Sequence, residues 1–270
     1  MTKARDLADY TGLQGDLALK SPVASPVFTG NVGVGVTPET SSSGHTSLAV
    51  GGNQRFETNT VKDGGNYGSW MQNAHYEGSW KYISTGATSR MYQGAGTLAM
   101  QVAPSGSADA AISWNTAMTI DNAGRVTQPL QPVVFVTRQS TLSVGNDSAN
   151  NPTTLDFDSA ILNIGSHFNL SNDRFTAPVA GRYEISWSYP TNPDSATVYR
   201  TFIWKNGTKL AYTQLRVDSN GHTGYLMGSR TAILELAASD YFVIGASSDN
   251  STNFYADGEL RIVMTIRLIG

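Results

Sequence analysis

The feature that most constrains the fold is an alternating strand in the second half of the chain. Between Arg182 and Tyr189, large apolar side chains occupy every second position, with Glu184, Ser186 and Ser188 between them. Because the side chains of a strand point alternately to its two faces, this pattern predicts a strand with one buried face. Further along, the pair Asn206-Gly207 is a strong signal for a two-residue hairpin, since both central residues of that turn need positive φ. Together these patterns predict a sandwich of β-sheets.

The whole segment 133–270 has the spacing of a β-sandwich or jelly roll with roughly eight to ten strands. Two of the strands, 228–236 and 241–247, are predicted to pair around a turn at Ala238-Ser-Asp240. The other predicted strands are 133–136 at the start, 182–189, 197–204, a return strand at 209–217 and a closing strand at 260–268.

Several motifs of this segment resemble the complement globular-head family, which is related to the tumour-necrosis-factor jelly roll. They are Phe175–Tyr183, with the phrase Phe-Thr-Ala-Pro-Val-Ala-Gly-Arg-Tyr, Lys205–Leu210, Ser229–Val243 and Phe254–Asp257. One departure is the end, where Met264–Leu268 replaces that family's usual Phe-x-Gly-x-Leu. The resemblance implies a jelly roll that exists as a tight trimer carried on a stalk.

The first half of the chain resembles a different class of protein. Ala24–Pro38 is similar to the shaft repeat of bacteriophage tail fibres, and Ala117–Val126 is similar to the Met-x-Ile-Asp-x-x-Gly-x-Val phrase of phage fibres and tail spikes. Val32, Val34 and Val36 alternate with glycine or threonine neighbours, a pattern of narrow strands that can approach each other closely.

These signals divide the chain into five segments. Residues 1–20 are predicted as a short helical or extended attachment segment, because Leu7, Tyr10, Leu13 and Leu17 form a narrow apolar stripe. Residues 21–38 are the β shaft repeat, and residues 39–127 are a middle domain of short strands joined by glycine turns. The two prolines of 128–132 mark a linker, and residues 133–270 form the jelly roll.

Composition narrows the function further. Only 14% of the residues are charged and the net charge is -3, so nothing attracts nucleic acid or an anionic membrane. The chain contains no cysteine, which excludes disulfides, thiolate metal sites and a cysteine nucleophile. Its start carries no apolar signal region and no apolar run reaches membrane-helix length. We therefore expect a virion protein that is made in the host cytoplasm.

The sequence predicts no enzyme, no cofactor and no metal site. The four histidines lack metal-ligand spacing, and the Gly-x-Ser-x-Gly signature of a serine nucleophile is absent. Oxygen-rich residues around Asp249, Asp257 and Glu259 could hold Ca²⁺, although a solvated loop is the favoured interpretation. A capsule depolymerase stays open as an alternative, but it predicts a long β-helix for which the chain is too short.

Two sets of residues are candidates for function. Exposed loops of a sandwich usually carry recognition, and the receptor-binding candidates are therefore Asn192, Asp194, Asp218, Asn220, His222, Tyr225, Asp249, Asn250 and Asn253. Apolar side chains in excess of one core predict a contact between chains, with the candidates Phe135, Tyr189, Phe202, Trp204, Phe242 and Phe254.

The resulting hypothesis is a homotrimeric bacteriophage tail fibre. Its N-terminal segment would attach to other virion proteins, and its jelly-roll head would bind a host-surface glycan or protein during adsorption. The alternative is a capsid or head fibre, or a decoration protein, with a structural role.

Overall fold

The computed structural model describes residues 30–40, 45–59, 67–145, 153–191, 198–219, 222, 224–250, 252–257, 259 and 261–270. Within these ranges the chain is built from strands, apart from one 3₁₀ turn at Ala211–Thr213, which confirms the predicted all-β fold class. The predicted attachment segment 1–20 lies outside the described residues. The chain divides into two compact units, Met1–Gln128 and Pro129–Gly270, and each is described by itself.

The first unit contains an eight-stranded sheet with the strand order β1-β2-β3-β4-β7-β8-β9-β10, and a separate hairpin of β5 and β6. Among the described strands of this unit, β1 and β2 pair in parallel and the other pairs are antiparallel. The strands predicted for the middle domain are present. The strands are β1 (Val32–Val34), β2 (His45–Val50), β3 (Gln54–Asn59), β4 (Tyr67–Gln72), β5 (Ala74–Tyr76), β6 (Trp80–Tyr82), β7 (Gly86–Gly94), β8 (Thr97–Gly106), β9 (Asn115–Ile120) and β10 (Val126–Thr127).

One face of this sheet is closed, and it is the face that carries the charged side chains. Arg55 and Glu57 are buried there, and the Tyr76 amide of β5 donates a hydrogen bond to Glu57 Oε2 at 3.4 Å. Burial raises the pKa of the Glu57 carboxyl and lowers the pKa of the Arg55 guanidinium, and the attraction between the two groups opposes both changes. The sheet therefore buries an ion pair on its closed side.

The same closed side holds an arginine between two indole rings. The Cζ atom of Arg90 lies 4.5 Å from the ring centroid of Trp80 and 4.4 Å from that of Trp114. Its Nε donates to Gln101 Oε1 at 2.7 Å. Burial lowers the pKa of Arg90 to about 10, so the group keeps its charge at neutral pH. The guanidinium joins the closed face to the segment that follows β8.

The second unit is a sandwich of two main sheets. A five-stranded sheet has the order β14-β11-β24-β17-β21, and the facing sheet has the order β15-β16-β22-β18-β19, with β13 and β20 added on β22 and β18. β12 and β23 form a separate pair. The strands are β11 (Val133–Arg138), β12 (Leu142–Val144), β13 (Thr153–Thr154), β14 (Ser159–Asn163), β15 (Phe168–Asn169), β16 (Arg174–Thr176), β17 (Gly181–Pro190), β18 (Val198–Lys205), β19 (Thr208–Lys209), β20 (Leu215–Asp218), β21 (Met227–Leu236), β22 (Tyr241–Ser248), β23 (Thr252–Phe254) and β24 (Ile262–Leu268).

The core of the sandwich lies between the two sheets, where the alternating strand predicted it. Tyr183, Ile185, Trp187 and Tyr189 of β17 are all buried in one cluster, so this prediction is confirmed. Trp187 Nε1 donates to the buried Thr201 Oγ1 on the facing sheet at 2.8 Å. Because an unpaired indole N–H would be costly in this interior, the bond fixes the position of one sheet relative to the other.

The predicted hairpin is also confirmed, but its return strand is shorter than expected. Asn206 and Gly207 have φ values of 48° and 78°, and Lys205 pairs with Thr208 across the turn. The return strand breaks at the 3₁₀ turn. Thr213 Oγ1 accepts a hydrogen bond from the Ile203 amide at 2.8 Å and donates to the Leu210 carbonyl at 2.6 Å. This side chain replaces the strand pairing that the sequence predicted there.

The predicted pairing of the strands 228–236 and 241–247 is wrong. The two strands exist as β21 and β22, but β21 lies in the five-stranded sheet and β22 lies in the facing sheet. The turn between them crosses from one sheet to the other and is held by Asp240, which accepts hydrogen bonds from Asn206 Nδ2 and the Ala237 amide. These bonds and Lys205 hold the pKa of Asp240 down, to about 2.

Four of the predicted interface residues belong to the interior of one chain. Tyr189, Phe202, Phe242 and Phe254 have at most 1% of their surface exposed. Such side chains have no surface left for a contact between chains, so the interface prediction is wrong for them. Phe135 and Trp204 are only half-buried, and their role stays a prediction.

Candidate functional site

The three loops predicted to carry recognition begin and end at one edge of the sandwich. Val198, the first residue of β18, pairs with Asp218, the last residue of β20. The Asp249 amide donates to the Val198 carbonyl at 3.2 Å, and the Thr191 amide donates to the Leu226 carbonyl at 2.9 Å. We call this edge the loop end, comprising the described residues in 190–191, 198–200, 216–227 and 248–257.

Charged side chains gather at the loop end. Arg200 Nη1 donates to Asp249 Oδ1 at 2.5 Å, with the arginine mostly buried and the carboxylate about half exposed. Arg216 and Asp218 approach to 3.9 Å, and both side chains are more than half exposed. The exposed Asp257 accepts a hydrogen bond from the Glu259 amide at 2.9 Å. The carboxylates of Asp218, Asp249 and Asp257 therefore lie on the surface of this edge.

An aromatic pair lies beside these carboxylates. The rings of Tyr225 and Tyr255 stack with their centroids 4.4 Å apart, and Tyr225 is 43% exposed. Tyr255 Oη donates to Asp257 Oδ2 at 3.3 Å. Hydrogen bonding with Tyr225, more than any other cause, raises the pKa of Tyr255 to about 12, so its hydroxyl stays neutral at physiological pH. The pair offers a flat apolar face with polar atoms at its rim, a common composition of recognition surfaces.

The aromatic pair stands on a well-packed base. Phe254, the residue before Tyr255, stacks on Tyr189 with 4.4 Å between the ring centroids and an interplanar angle of 6°. Tyr199 packs against the same phenyl ring at 5.4 Å. Because these rings are fully buried, they hold the backbone of 254–255 and thereby orient the exposed ring that follows.

Of the predicted receptor-binding residues, the structure brings several to the loop end. Asp218, Asp249 and Asn250 are exposed there, as are His222 and Tyr225. Asn253 is half-buried and pairs with Ser143 in the β12–β23 ladder. Asn192, Asp194 and Asn220 lie outside the described residues. The receptor-binding role of all nine stays a prediction.

Sequence reasoning missed three members of this edge. Arg200 lies inside β18, outside the predicted loops, and only the fold places it against Asp249. Tyr255 and Asp257 were visible as a Tyr-x-Asp phrase, but nothing in the sequence indicated that Tyr225 would stack on Tyr255. In the part of the chain that the structure describes, no three acidic or histidine side chains form a group able to hold a metal ion.

Comparison with known proteins identifies the second unit. Residues 135–263 match the C1q domain family. Among solved structures, the globular domain of zebrafish complement 1qA is 19% identical with a TM-score of 0.40, covering 52% of this chain and 98% of that one. Eiger TNF from S. frugiperda is 12% identical with a TM-score of 0.39, covering 51% and 94%. Murine APRIL is 11% identical with a TM-score of 0.38, covering 51% and 99%. The search of curated proteins gives no match.

The second unit is thus a jelly-roll domain of the C1q class. More narrowly, residues 135–263 form a C1q/TNF-like jelly-roll domain, as the sequence motifs implied. C1q/TNF-like domains form homotrimers and bind receptors, and the comparisons identify no enzyme family. Within the described residues, no helix has the length and apolar character needed to cross a membrane.

Proposed function

We propose that this chain is a homotrimeric bacteriophage tail-fibre protein whose C1q/TNF-like head binds a host-surface glycan or protein during adsorption. The observation that carries the binding part is the loop end, where the Tyr225–Tyr255 stack and three exposed carboxylates share one edge of the sandwich. Aromatic faces beside hydrogen-bonding groups suit both sugar rings and polar protein surfaces. No reaction is part of this function.

The resemblance of the first half supports the phage part of the proposal. The segment 24–38 resembles the shaft repeat of bacteriophage tail fibres, and the segment 117–126 resembles a phrase of phage fibres and tail spikes. The phrase ends in a tight turn, in which Asp121 Oδ1 accepts hydrogen bonds from the Ala123 and Arg125 amides at 2.9 Å each. In this proposal the protein is part of the virion and its N-terminal segment contacts other virion proteins.

Adsorption of the purified protein to cells tests the proposal. Fluorescently labelled protein is mixed with candidate host cells, with and without competing lipopolysaccharide, and bound fluorescence is measured. We expect saturable binding that Tyr225→Ala weakens by at least about tenfold, since a central aromatic contact contributes about 2 kcal/mol or more. The matched control is Tyr212→Ala, because Tyr212 is 70% exposed but lies in the 3₁₀ turn, away from the loop end.

Two outcomes would contradict it. Equal binding by Tyr225→Ala and wild type would remove the loop end as the contact surface. Absence of saturable binding to every host of the virion would remove the receptor function and leave the structural alternative, a capsid or head fibre. Electron microscopy of virions labelled with antibody against the head would then show the label on the capsid and not on the tail.

A further inference from the structure

A continuous row of apolar side chains crosses the open face of the eight-stranded sheet. The register of the sheet pairs these residues directly opposite one another on neighbouring strands, from Val32 on β1 to Met118 on β9. Phe56 is 50% exposed and Trp70 is 63% exposed. We call this row the apolar ladder, and its members are Val32, Leu48, Phe56, Trp70, Met91, Met100 and Met118.

The rows on either side of the apolar ladder are uncharged and mix apolar with polar side chains. One flanking row adds the exposed residues Val34, Val50 and Val102, with Gln54, Gln72, Ser89 and Asn115 between or beside them. The other consists of Thr46, Thr58, Gly68, Gln93, Leu98 and Ile120. None of the residues in these three described rows is charged. The open face therefore has an apolar centre, flanked on both sides by uncharged side chains of which most are polar.

This sheet differs from an ordinary one-sided sheet, because its buried face holds charged side chains beside apolar ones and most of its large apolar side chains lie on its open face. A sheet with one solvated face normally turns its apolar side to the core and its polar side to water. Here the buried side holds Arg55, Glu57 and Ser69, while Phe56 and Trp70 face outward. The hairpin of β5 and β6 lies on the charged side, and among the described residues of this unit Phe56 and Trp70 on the other side are at least half exposed. We therefore expect protein from outside this sheet to pack against its open face.

The area of the open face matches an interface between proteins. Seven strands at about 4.8 Å and three rows at about 7 Å give a patch of roughly 600–700 Å². A standard stable interface buries about 800 Å² per partner. The open face, with its apolar centre and its uncharged flanking rows, therefore approaches the size of a lasting contact.

A second copy of this chain fits the open face better than another partner. A charge-free surface gives a foreign partner no electrostatic feature to recognise, whereas identical apolar faces complement one another by symmetry. C1q/TNF-like domains form homotrimers, so three heads in one trimer hold three copies of the ladder together at millimolar effective concentration. Most of the translational and rotational entropy of the three chains is then already lost, so association of the open faces costs little more.

We propose that the apolar ladder is a contact surface between copies of this chain, in which the three ladders of a trimer cover one another. The inference deepens the trimeric part of the proposed function and rests on it. It also assigns part of the contact between chains to the first unit, whereas the sequence placed every interface candidate in the head.

Single-cysteine variants test this directly, because the chain contains no cysteine of its own. Met91→Cys places a thiol in the apolar ladder, and Ser107→Cys places one in an exposed segment of the same unit as the matched control. Molar mass is measured by light scattering, and the rate of maleimide labelling is measured in native buffer and in concentrated urea. Met100→Cys repeats the measurement at the adjacent ladder position in case Met91→Cys does not fold.

We expect a trimer in which the ladder thiol reacts with maleimide at least about tenfold more slowly than the control thiol. The reason is that the ladder thiol becomes accessible only when the contacting faces transiently separate. In urea the two rates become similar, and a short bis-maleimide joins ladder thiols of different chains on a denaturing gel. A trimer whose ladder and control thiols react at one rate overturns the ladder contact but leaves the trimeric head. Protection without any cross-link between chains means that another occupant covers the face, and this also overturns it. A monomer overturns both proposals.

Discussion

At the scale of single residues, Arg90 shows how the first unit holds a charge in a largely buried place. Its guanidinium lies within 4.5 Å of two indole centroids, on Trp80 and Trp114. A planar guanidinium stacks on aromatic rings and is weakly hydrated, whereas an ammonium is a compact, strongly hydrated charge. The two cationic side chains are therefore not interchangeable at this position.

Substitution of Arg90→Lys is expected to lower the free energy of unfolding by about 1–2 kcal/mol, because the cation–π contacts of the guanidinium with the two indole rings are weakened. Urea unfolding followed by tryptophan fluorescence measures the change. Arg125→Lys is the control, since that side chain is 77% exposed and forms only a surface ion pair, whose replacement costs about 0.5 kcal/mol or less. Equal effects of the two substitutions would show that the indole cage contributes nothing.

Asp173 makes the stability of the head depend on pH. Burial raises its pKa to about 6, with repulsion from Asp156 adding to the effect, while a hydrogen bond from the Phe157 amide and attraction to Arg138 oppose it. A carboxyl with a higher pKa in the folded state binds protons more tightly there. Its favourable contribution is therefore complete below about pH 4 and is lost as the pH rises through about 6.

The substitution Asp173→Asn should remove the loss of folding stability that occurs as the pH rises. The amide oxygen can still accept from the Phe157 amide, now at 2.8 Å, and asparagine tolerates the positive φ of 55° at this position. Two pKa units correspond to about 3 kcal/mol, which solvent screening reduces to about 1–2 kcal/mol. We expect the variant to exceed wild type by that amount at pH 7 and to equal it near pH 4, in thermal unfolding across pH. Parallel curves would contradict the assignment.

At the scale of elements, the turn between β18 and β19 allows the energetic cost of a positive φ to be measured without a steric clash. Gly207 has φ +78° and open space where a Cβ would lie, so Gly207→Ala introduces strain and no clash. We expect a loss of about 1 kcal/mol in unfolding free energy, measured in urea. Gly224→Ala is the control, because that position also has open space but no positive φ. A loss at position 224 equal to that at 207 would refute the conformational explanation.

The elements also show what the sequence could and could not predict. Alternation predicted β17 and its buried face, and Asn206-Gly207 predicted the hairpin, because both signals are local. The partners of β21 and β22 could not be predicted, since two strands joined by a short turn read the same whether they pair or cross between sheets. The apolar ladder was hidden for a similar reason. Phe56 and Trp70 lie on different strands, and only the register brings them into one row.

At the scale of the whole molecule, the proposed function depends on three loop ends acting together. Linked weak sites raise apparent affinity by about 10²–10⁴ without new contacts, provided that they can engage at the same time. The proposed trimer has a mass of about 87 kDa, three times the 28.9 kDa of one chain. A change at one loop end would leave this proposed assembly intact.

Mixed trimers separate this avidity from the affinity of one site. Wild-type chains are co-expressed with increasing proportions of Tyr225→Ala chains, and adsorption to host cells is measured at fixed total protein. At equal proportions about one trimer in eight keeps three intact sites, so adsorption at limiting concentration should fall well below half of the wild-type value. Mixtures with Tyr212→Ala chains control for co-expression and should adsorb as wild type does. A fall in strict proportion to the variant fraction would mean that each loop end binds alone, because avidity requires that the loss of one site weakens the whole trimer.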